Sequence, residues 1–327
     1  MKHVYTSFLT FTLLTLTTSL FAQGPNDSGT YYQAADGKKG AALKTALCGI
    51  IYNRTERTYK QLWTDFYTTD AKPNGKVWDM YSNKREMTFG TDQAGSYSKE
   101  GDVYNREHSW PNSWFGGEKQ PMYTDLHHLY PTDGYVNNRR SNYAFGETNG
   151  ESYKSANNFS KLGACTYSGY TGTVFEPNDD YKGDFARTYF YMVTCYEEKL
   201  PDWVNKGNAN ITINSSGLVT WQLEMLMKWS KNDPVSADKE TPRNIAVYGI
   251  QGNRNPFIDY PGLEEYIWGS LTDVAFSYND YQVPTAIMTI KAEPANKEGV
   301  MYNLAGQKVD KSYKGVVIMN GKKMIQK

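Results

Sequence analysis

Apolar side chains recur at helical spacing in three places along the chain. In GAALKTALCGIIYN, residues 40–53, Ala42, Leu43, Ala46, Leu47, Ile50 and Ile51 follow one another at intervals that predict an amphipathic helix with a single apolar stripe. In GDFARTYFYMVTCYEEKL, residues 183–200, Phe185, Ala186, Tyr189, Phe190 and Val193 repeat that spacing, and Asp184 stands where an N-capping carboxylate would. LVTWQLEMLMKWS, residues 218–230, puts Leu218, Trp221, Met225 and Trp229 on one face. Stripes of this kind are read as core packing, not as cofactor contacts.

Between these helices the chain is rich in Tyr, Asn, Gly and Asp and has few long alternating patterns. That predicts one mixed α+β domain with long ordered loops over residues 23–270. Residues 271–298 are polar, contain Pro and lack a helical period, and are expected to be a linker with room for one strand. In residues 299–327 the run VVIM, then Asn320-Gly321, then KKMIQK predicts a hairpin, because both turn residues tolerate positive φ. A small C-terminal β-module is expected there.

The N-terminal segment MKHVYTSFLTFTLLTLTTSLFA has one lysine followed by an uncharged apolar and Thr-rich run. It predicts a secretory signal peptide over residues 1–22, too short for a stable membrane span, and therefore a secreted protein without membrane insertion. Its removal takes away Lys2 and leaves 34 basic against 35 acidic side chains. A protein held to a long polyanion by charge alone would carry a basic excess, so any nucleic-acid contact must be local. Cys48, Cys165 and Cys195 allow at most one intramolecular disulfide, so the core must hold the fold.

Histidine is scarce. Outside the signal segment only His108, His127 and His128 occur, and they lie within a span of 21 residues. Imidazole titrates near neutrality, so this cluster marks the place for chemistry. In NREHSWPNSW, residues 105–114, Glu107 and His108 are adjacent. At a strand end both could border one cleft, with Glu107 on a hard cation and a neutral His108 taking a proton from water. TDLHHLYPTDGYVNNRRSNYAFGE, residues 124–147, follows. There Pro131 is expected to end an extended piece, and Thr132 or Asp133 to cap a helical turn projecting Asn137, Asn138, Arg139, Arg140 and Asn142. Carboxamides and guanidiniums at this density suit a metal and a phosphate; on spacing alone a solvated polar loop is the other reading, and for Arg139 the preferred one.

Together, NREHSWP and DLHHLYPTDGYVNNRRSN resemble the bacterial endonuclease I family, nonspecific nucleases of the His-Me finger (ββα-metal) class. KGDFARTYFYM (182–192), KNDPVS (231–236) and GNRNPFIDYP (252–261) resemble its downstream signatures, so the likeness covers most of residues 30–268. It implies a ββα unit with His108 on the first strand, His128 on or near the second, and Asn137 on the helix. It further implies His108 as general base, Glu107 and Asn137 as ligands of Mg²⁺ (Ca²⁺ or Mn²⁺ being alternatives), and hydrolysis of DNA and also RNA to 5′-phosphate products without sequence preference.

This chain departs from the family pattern in four ways, two of them being His128 where the periplasmic branch has Asn, and Tyr135, Asn138 and Arg139 in place of that branch's glutamate and Gly-Asp. The insert SWPNSWFGGEKQPMYT contains no arginine to steady the cleaved phosphate, which leaves Lys119, Arg139, Arg140 and Arg187 as candidates, and three cysteines cannot form the family's several disulfides. His127 and His128 read either as support for His108 or as satisfied structural histidines. Asn255, Pro256 and Asp259 read as a structural loop. The expected catalytic set is His108, His128 and Arg140. YNLAGQKV and KGVVIMNGKK resemble the sorting domain of type IX secretion cargo, which makes that machinery an expected partner. Two other readings fit the composition: a glycan- or surface-binding protein using its 27 tyrosines and 8 tryptophans, and a zinc hydrolase using the three histidines.

Overall fold

The structure, a computed structural model, describes residues 24–284 and, toward the C-terminus, 301–303, 308–309, 313–319 and 322–326. It divides into two units at Val283 and Pro284. The signal segment 1–22 lies outside the described residues. No helix among the described residues is long and apolar enough to cross a membrane.

In the first unit the chain runs α1 (Gly40–Ile51), α2 (Leu62–Thr69), β1 (Tyr104–His108), β2 (Leu129–Asp133), α3 (Gly134–Arg140), β3 (Ala144–Phe145), β4 (Tyr153–Lys154), β5 (Lys161–Ala164), β6 (Thr173–Glu176), α4 (Lys182–Cys195), α5 (Leu200–Trp203), β7 (Ile213–Asn214), β8 (Gly217–Leu218), α6 (Thr220–Asn232), α7 (Glu240–Gln251), α8 (Pro256–Asp259) and α9 (Leu263–Ile267). Leu43, Leu47 and Ile51 of α1 are fully buried and Ala46 and Ile50 pack partly buried against the core, whereas Ala42, placed on the stripe by its spacing, is exposed and marks the stripe's edge. In α6, Trp221, Met225 and Trp229 are likewise inside.

α4 differs from expectation. Every residue from Gly183 to Cys195 is buried, so the helix runs through the core instead of lying on it. Most of its polar side chains are paired internally, the Thr194 hydroxyl excepted: Arg187 grips both carboxylate oxygens of Glu240 at 2.6 and 2.7 Å. Asp184 is not the N-cap; it lies in the first turn and is ion-paired to Lys239. Gly183 is required where it stands, because a Cβ there would overlap the carbonyl of Asp233.

β1 and β2 form an antiparallel pair with Glu107 opposite Tyr130 and His108 opposite Leu129. Pro131 lies inside β2, opposite Arg106, and does not end it. A two-stranded ladder leaves one edge of each strand unpaired, where a residue without an N–H is tolerated. Asp133 then caps α3, accepting from the backbone N–H groups of Tyr135 and Val136 at 2.9 Å each. This strand–strand–helix order is the ββα unit of a His-Me finger. A second sheet has the order β3-β6-β5-β4, parallel only between β3 and β6.

The linker expected from residue 271 begins later. Phe276 and Tyr278 are buried in the same core, and Phe276 exchanges backbone hydrogen bonds with Gly37 and Lys38. Burying these aromatic rings outweighs the polar composition around them, so residues 271–283 belong to the first unit. Residues 285–298 lie outside the described residues. The second unit holds β9 (Met301–Asn303), β10 (Lys308–Val309), β11 (Gly315–Met319) and β12 (Lys322–Gln326), in the order β10-β9-β11-β12 and antiparallel throughout. Met319 pairs with Lys322, the register of a two-residue hairpin, although Asn320 and Gly321 themselves lie outside the described residues. All three cysteines carry free thiols.

Candidate active site

Glu107 and His108 end β1, and α3 brings Asn137 and Arg140 up beside them. These four residues and Arg106 line one cavity of about 370 Å³. A larger cavity, about 530 Å³, opens beside Cys48 and Cys195, but its walls contain no imidazole, so the chemistry points to the smaller one.

Glu107 is buried, and its Oε1 accepts from the Tyr81 hydroxyl at 2.8 Å and from Nη1 of Arg140 at 2.9 Å. Burial pushes its carboxyl upward, and the Arg140 guanidinium and the Tyr81 hydroxyl pull it back. Oε2 makes no hydrogen bond to a side chain among the described residues, and the His108 backbone N–H also faces the carboxylate. Arg140 does more than pair with Glu107. It also donates to the main-chain carbonyls of His108 (3.0 Å) and Ser109 (2.6 Å), and its plane covers the Phe145 ring. The last turn of α3 is thereby locked onto the end of β1 by charge-assisted hydrogen bonds.

His108 is almost wholly buried, stacked on Tyr123 with ring centroids 5.0 Å apart. Its Nε2 lies 2.9 Å from the Tyr123 carbonyl. A carbonyl only accepts, so Nε2 carries the proton and Nδ1 keeps a lone pair. Nδ1 has no hydrogen-bond partner among the described residues. Burial, reinforced by the neighbouring His128 and by Arg106 and Arg140, lowers the imidazole to about 3, so it is neutral at ordinary pH. A neutral imidazole with a free lone pair, fixed in orientation, can take a proton.

Asn137 is half-buried on α3, and its carboxamide makes no hydrogen bond to the described residues. The free oxygens bordering the cavity are thus one carboxylate and one carboxamide, a donor set suited to a hard cation that keeps several waters. No group of three or more His, Cys, Asp or Glu side chains among the described residues could hold a metal. The three imidazoles in particular do not converge, since His127 gives Nε2 to the Asn253 carbonyl (3.2 Å) and His128 gives its own to that of Met122 (2.7 Å).

His128 is fully buried behind His108, with ring centroids 5.5 Å apart, and lies outside the cavity wall. His127 is held in the loop that Asp125 organises. The Asp125 carboxylate accepts from the His127 N–H, the Tyr191 and Tyr196 hydroxyls and the Gln251 amide, with Arg54 at 3.6 Å. Asn255 caps the short helix α8, and Asp259 pairs with Arg254, both away from the cavity.

The four cations expected as partners of phosphate are distributed unevenly. Arg140 is in the cavity wall but committed to Glu107. Arg187 is sealed in the core with Glu240. Arg139 is exposed and folded over the Tyr135 ring, to whose hydroxyl it donates at 2.6 Å. Lys119 is exposed. Two contributors went unforeseen. Tyr81 reaches Glu107 from a distant loop and has no local sequence signal. Arg106 stands next to Glu107 in the motif itself, and its neighbourhood was the available clue.

Residues 39–262 match the family described as Endonuclease I. An extracellular ribonuclease of Bacillus amyloliquefaciens is 38% identical over 265 residues, covering 79% of this chain and 84% of that protein. The extracellular ribonuclease of Bacillus subtilis (strain 168) is 37% identical over 250 residues, covering 74% and 79%. An extracellular deoxyribonuclease of Aeromonas hydrophila is 28% identical over 144 residues, covering 43% and 52%.

Proposed function

This chain belongs to the Endonuclease I family, and from that premise we propose that it is a secreted, sequence-nonspecific endonuclease whose general base is His108 and whose divalent cation is held by Glu107 and Asn137. As a nuclease it is a hydrolase. The observation that carries the site assignment is the single cavity bordered by Glu107, by Asn137 and by a neutral His108 whose Nδ1 has no partner among the described residues.

In this reading Nδ1 of His108 takes a proton from water, and the resulting hydroxide attacks phosphorus in line with the 3′ oxygen. The P–O3′ bond breaks, the 3′ oxygen is protonated from solvent, and the product keeps a 5′ phosphate. When bound, Mg²⁺ supplies Lewis-acid stabilisation of charge on the phosphate and the leaving oxygen. Arg140 and Tyr81 hold Glu107 in place, and the Tyr123 carbonyl keeps the proton on Nε2 throughout. His128 packs behind the base and excludes water from its rear face.

Relatives named for ribonuclease and for deoxyribonuclease activity support action on both RNA and DNA. Their description as extracellular agrees with the leader-like residues 1–22. The C-terminal unit is read as a type IX sorting domain on its sequence motifs, with the secretion machinery as its partner and no part in cleavage.

The test is cleavage of plasmid DNA, linear DNA and RNA by the wild type, with and without EDTA, and by His108→Ala. EDTA should stop cleavage and added Mg²⁺ restore it, and His108→Ala should lose on the order of 10²–10⁴-fold in rate while remaining folded. A folded His108→Ala protein with full activity removes the base assignment.

A further inference from the structure

We propose that Arg106 is the cation that binds the scissile phosphate. The assignment rests on the nuclease reading above and names a residue that reading leaves without a role.

Two arginines line the cavity, Arg106 and Arg140. The guanidinium of Arg140 is occupied by Glu107 and two main-chain carbonyls, and its Nε is sealed from solvent without a partner. It cannot turn to a substrate without abandoning a buried carboxylate. Arg106 is in the opposite situation. It is half-buried, makes no ion pair among the described residues, and its hydrogen bonds go to Tyr59 alone, to the carbonyl from Nη1 and to the side chain. Most of the guanidinium N–H groups therefore remain available.

Its position is nevertheless fixed. The guanidinium lies 3.5 Å from the centroid of the Tyr59 ring and 4.3 Å from that of Trp63, between two aromatic faces. Tyr59 in turn stacks on Tyr123 at 4.5 Å, and Tyr123 provides the carbonyl that orients His108. One aromatic stack thus sets both the base and a planar, permanently charged donor fork in the same cavity. A charge held by ring faces instead of by a carboxylate has no competitor for an incoming phosphate and needs little reorganisation to bind it. Among the described residues that line the cavity, no other arginine or lysine has unengaged donors that solvent reaches.

The experiment compares wild type, Arg106→Met and Arg106→Lys in two assays. The first is binding of a 12-nucleotide single-stranded DNA in EDTA, followed by fluorescence anisotropy from low to moderate salt. The second is cleavage of the same oligonucleotide in Mg²⁺. Arg106→Met should bind more weakly, with a slope of log affinity against log salt smaller by about 0.7, the share of one phosphate contact on a single strand. It should lose about 10²-fold in kcat, as when one transition-state donor is removed. Arg106→Lys should recover the salt slope but only part of kcat, because an ammonium lacks the parallel fork.

A residue that merely staples Tyr59 and Trp63 would change thermal stability and leave the salt slope as it was, which would overturn the assignment. So would an Arg106→Met protein that binds and cleaves like wild type. If Arg106→Met does not fold, Arg106→Gln, which keeps a donor for the Tyr59 carbonyl without the charge, is measured in its place against the same expectations. A wild type that binds the oligonucleotide more tightly than the variant yet fails to cleave it would refute the nuclease reading and leave the phosphate assignment standing.

Discussion

Arg140 lies 2.9 Å from Glu107 with both side chains buried, and the same guanidinium binds the carbonyls that follow Glu107 along the chain. One side chain of α3 therefore decides where the end of β1 points. Arg140→Met should remove that control and strand a buried carboxylate. The expected cost is about 3–5 kcal/mol in stability, read from urea unfolding. Cleavage should fall further than stability alone explains, even at a temperature where the variant is fully folded. A variant with unchanged unfolding would show that the ion pair is not what holds the strand end.

The Asn137 carboxamide makes no hydrogen bond among the described residues, so replacing it should barely disturb the fold. Asn137→Ala should keep the wild-type Tm and need on the order of tenfold more Mg²⁺ for half-maximal rate, with Asn137→Asp falling between the two. Titration of rate against Mg²⁺ measures this. An identical metal requirement in all three proteins would exclude Asn137 as a ligand.

Burial holds the His127 imidazole down at about 4, and lowers that of His128 as well. In the unfolded chain both bind a proton near 6.5. Between these values the unfolded state carries more protons, so the contribution to stability is complete above about pH 6.5 and is lost as pH falls toward 4. Thermal unfolding should therefore show a falling Tm from pH 7 to pH 4.5. His127→Gln, which keeps a donor for the Asn253 carbonyl, should flatten that fall. An equally steep profile in the variant would assign the acid sensitivity to other groups.

The boundary between Val283 and Pro284 predicts that a protein ending at 283 keeps its Tm and its rate on DNA. Calorimetry and a cleavage assay on the shortened protein check both. A large loss of either would make the C-terminal unit part of the enzyme.

Much of the scaffold can be read from periodicity, because α1 and α6 bury one face and their apolar residues mark it. α4 misleads for a physical reason: a helix enclosed on all sides has no polar face to give its orientation, and the carboxylate of Asp184 answers to Lys239, not to its own helix end. Pro131 misleads because the rule that proline ends a strand assumes neighbours on both edges. In the site, Glu107, His108, Asn137 and Arg140 are legible as a cluster of chemistry-bearing types. What cannot be read is the frame around them. Tyr81 and Tyr59 arrive from loops through packing distant in sequence, and the atom that sets the state of His108 is a backbone oxygen, which every residue type provides.

That last feature bears on how the site tolerates change. Since the acceptor opposite Nε2 belongs to the main chain at Tyr123, no exchange of the side chain there can delete it; only a shift in the path of the Gln120–Asp125 loop can. The imidazole's tautomer is thus inherited from chain geometry, and a designer wishing to alter it would have to rebuild a loop rather than swap a residue.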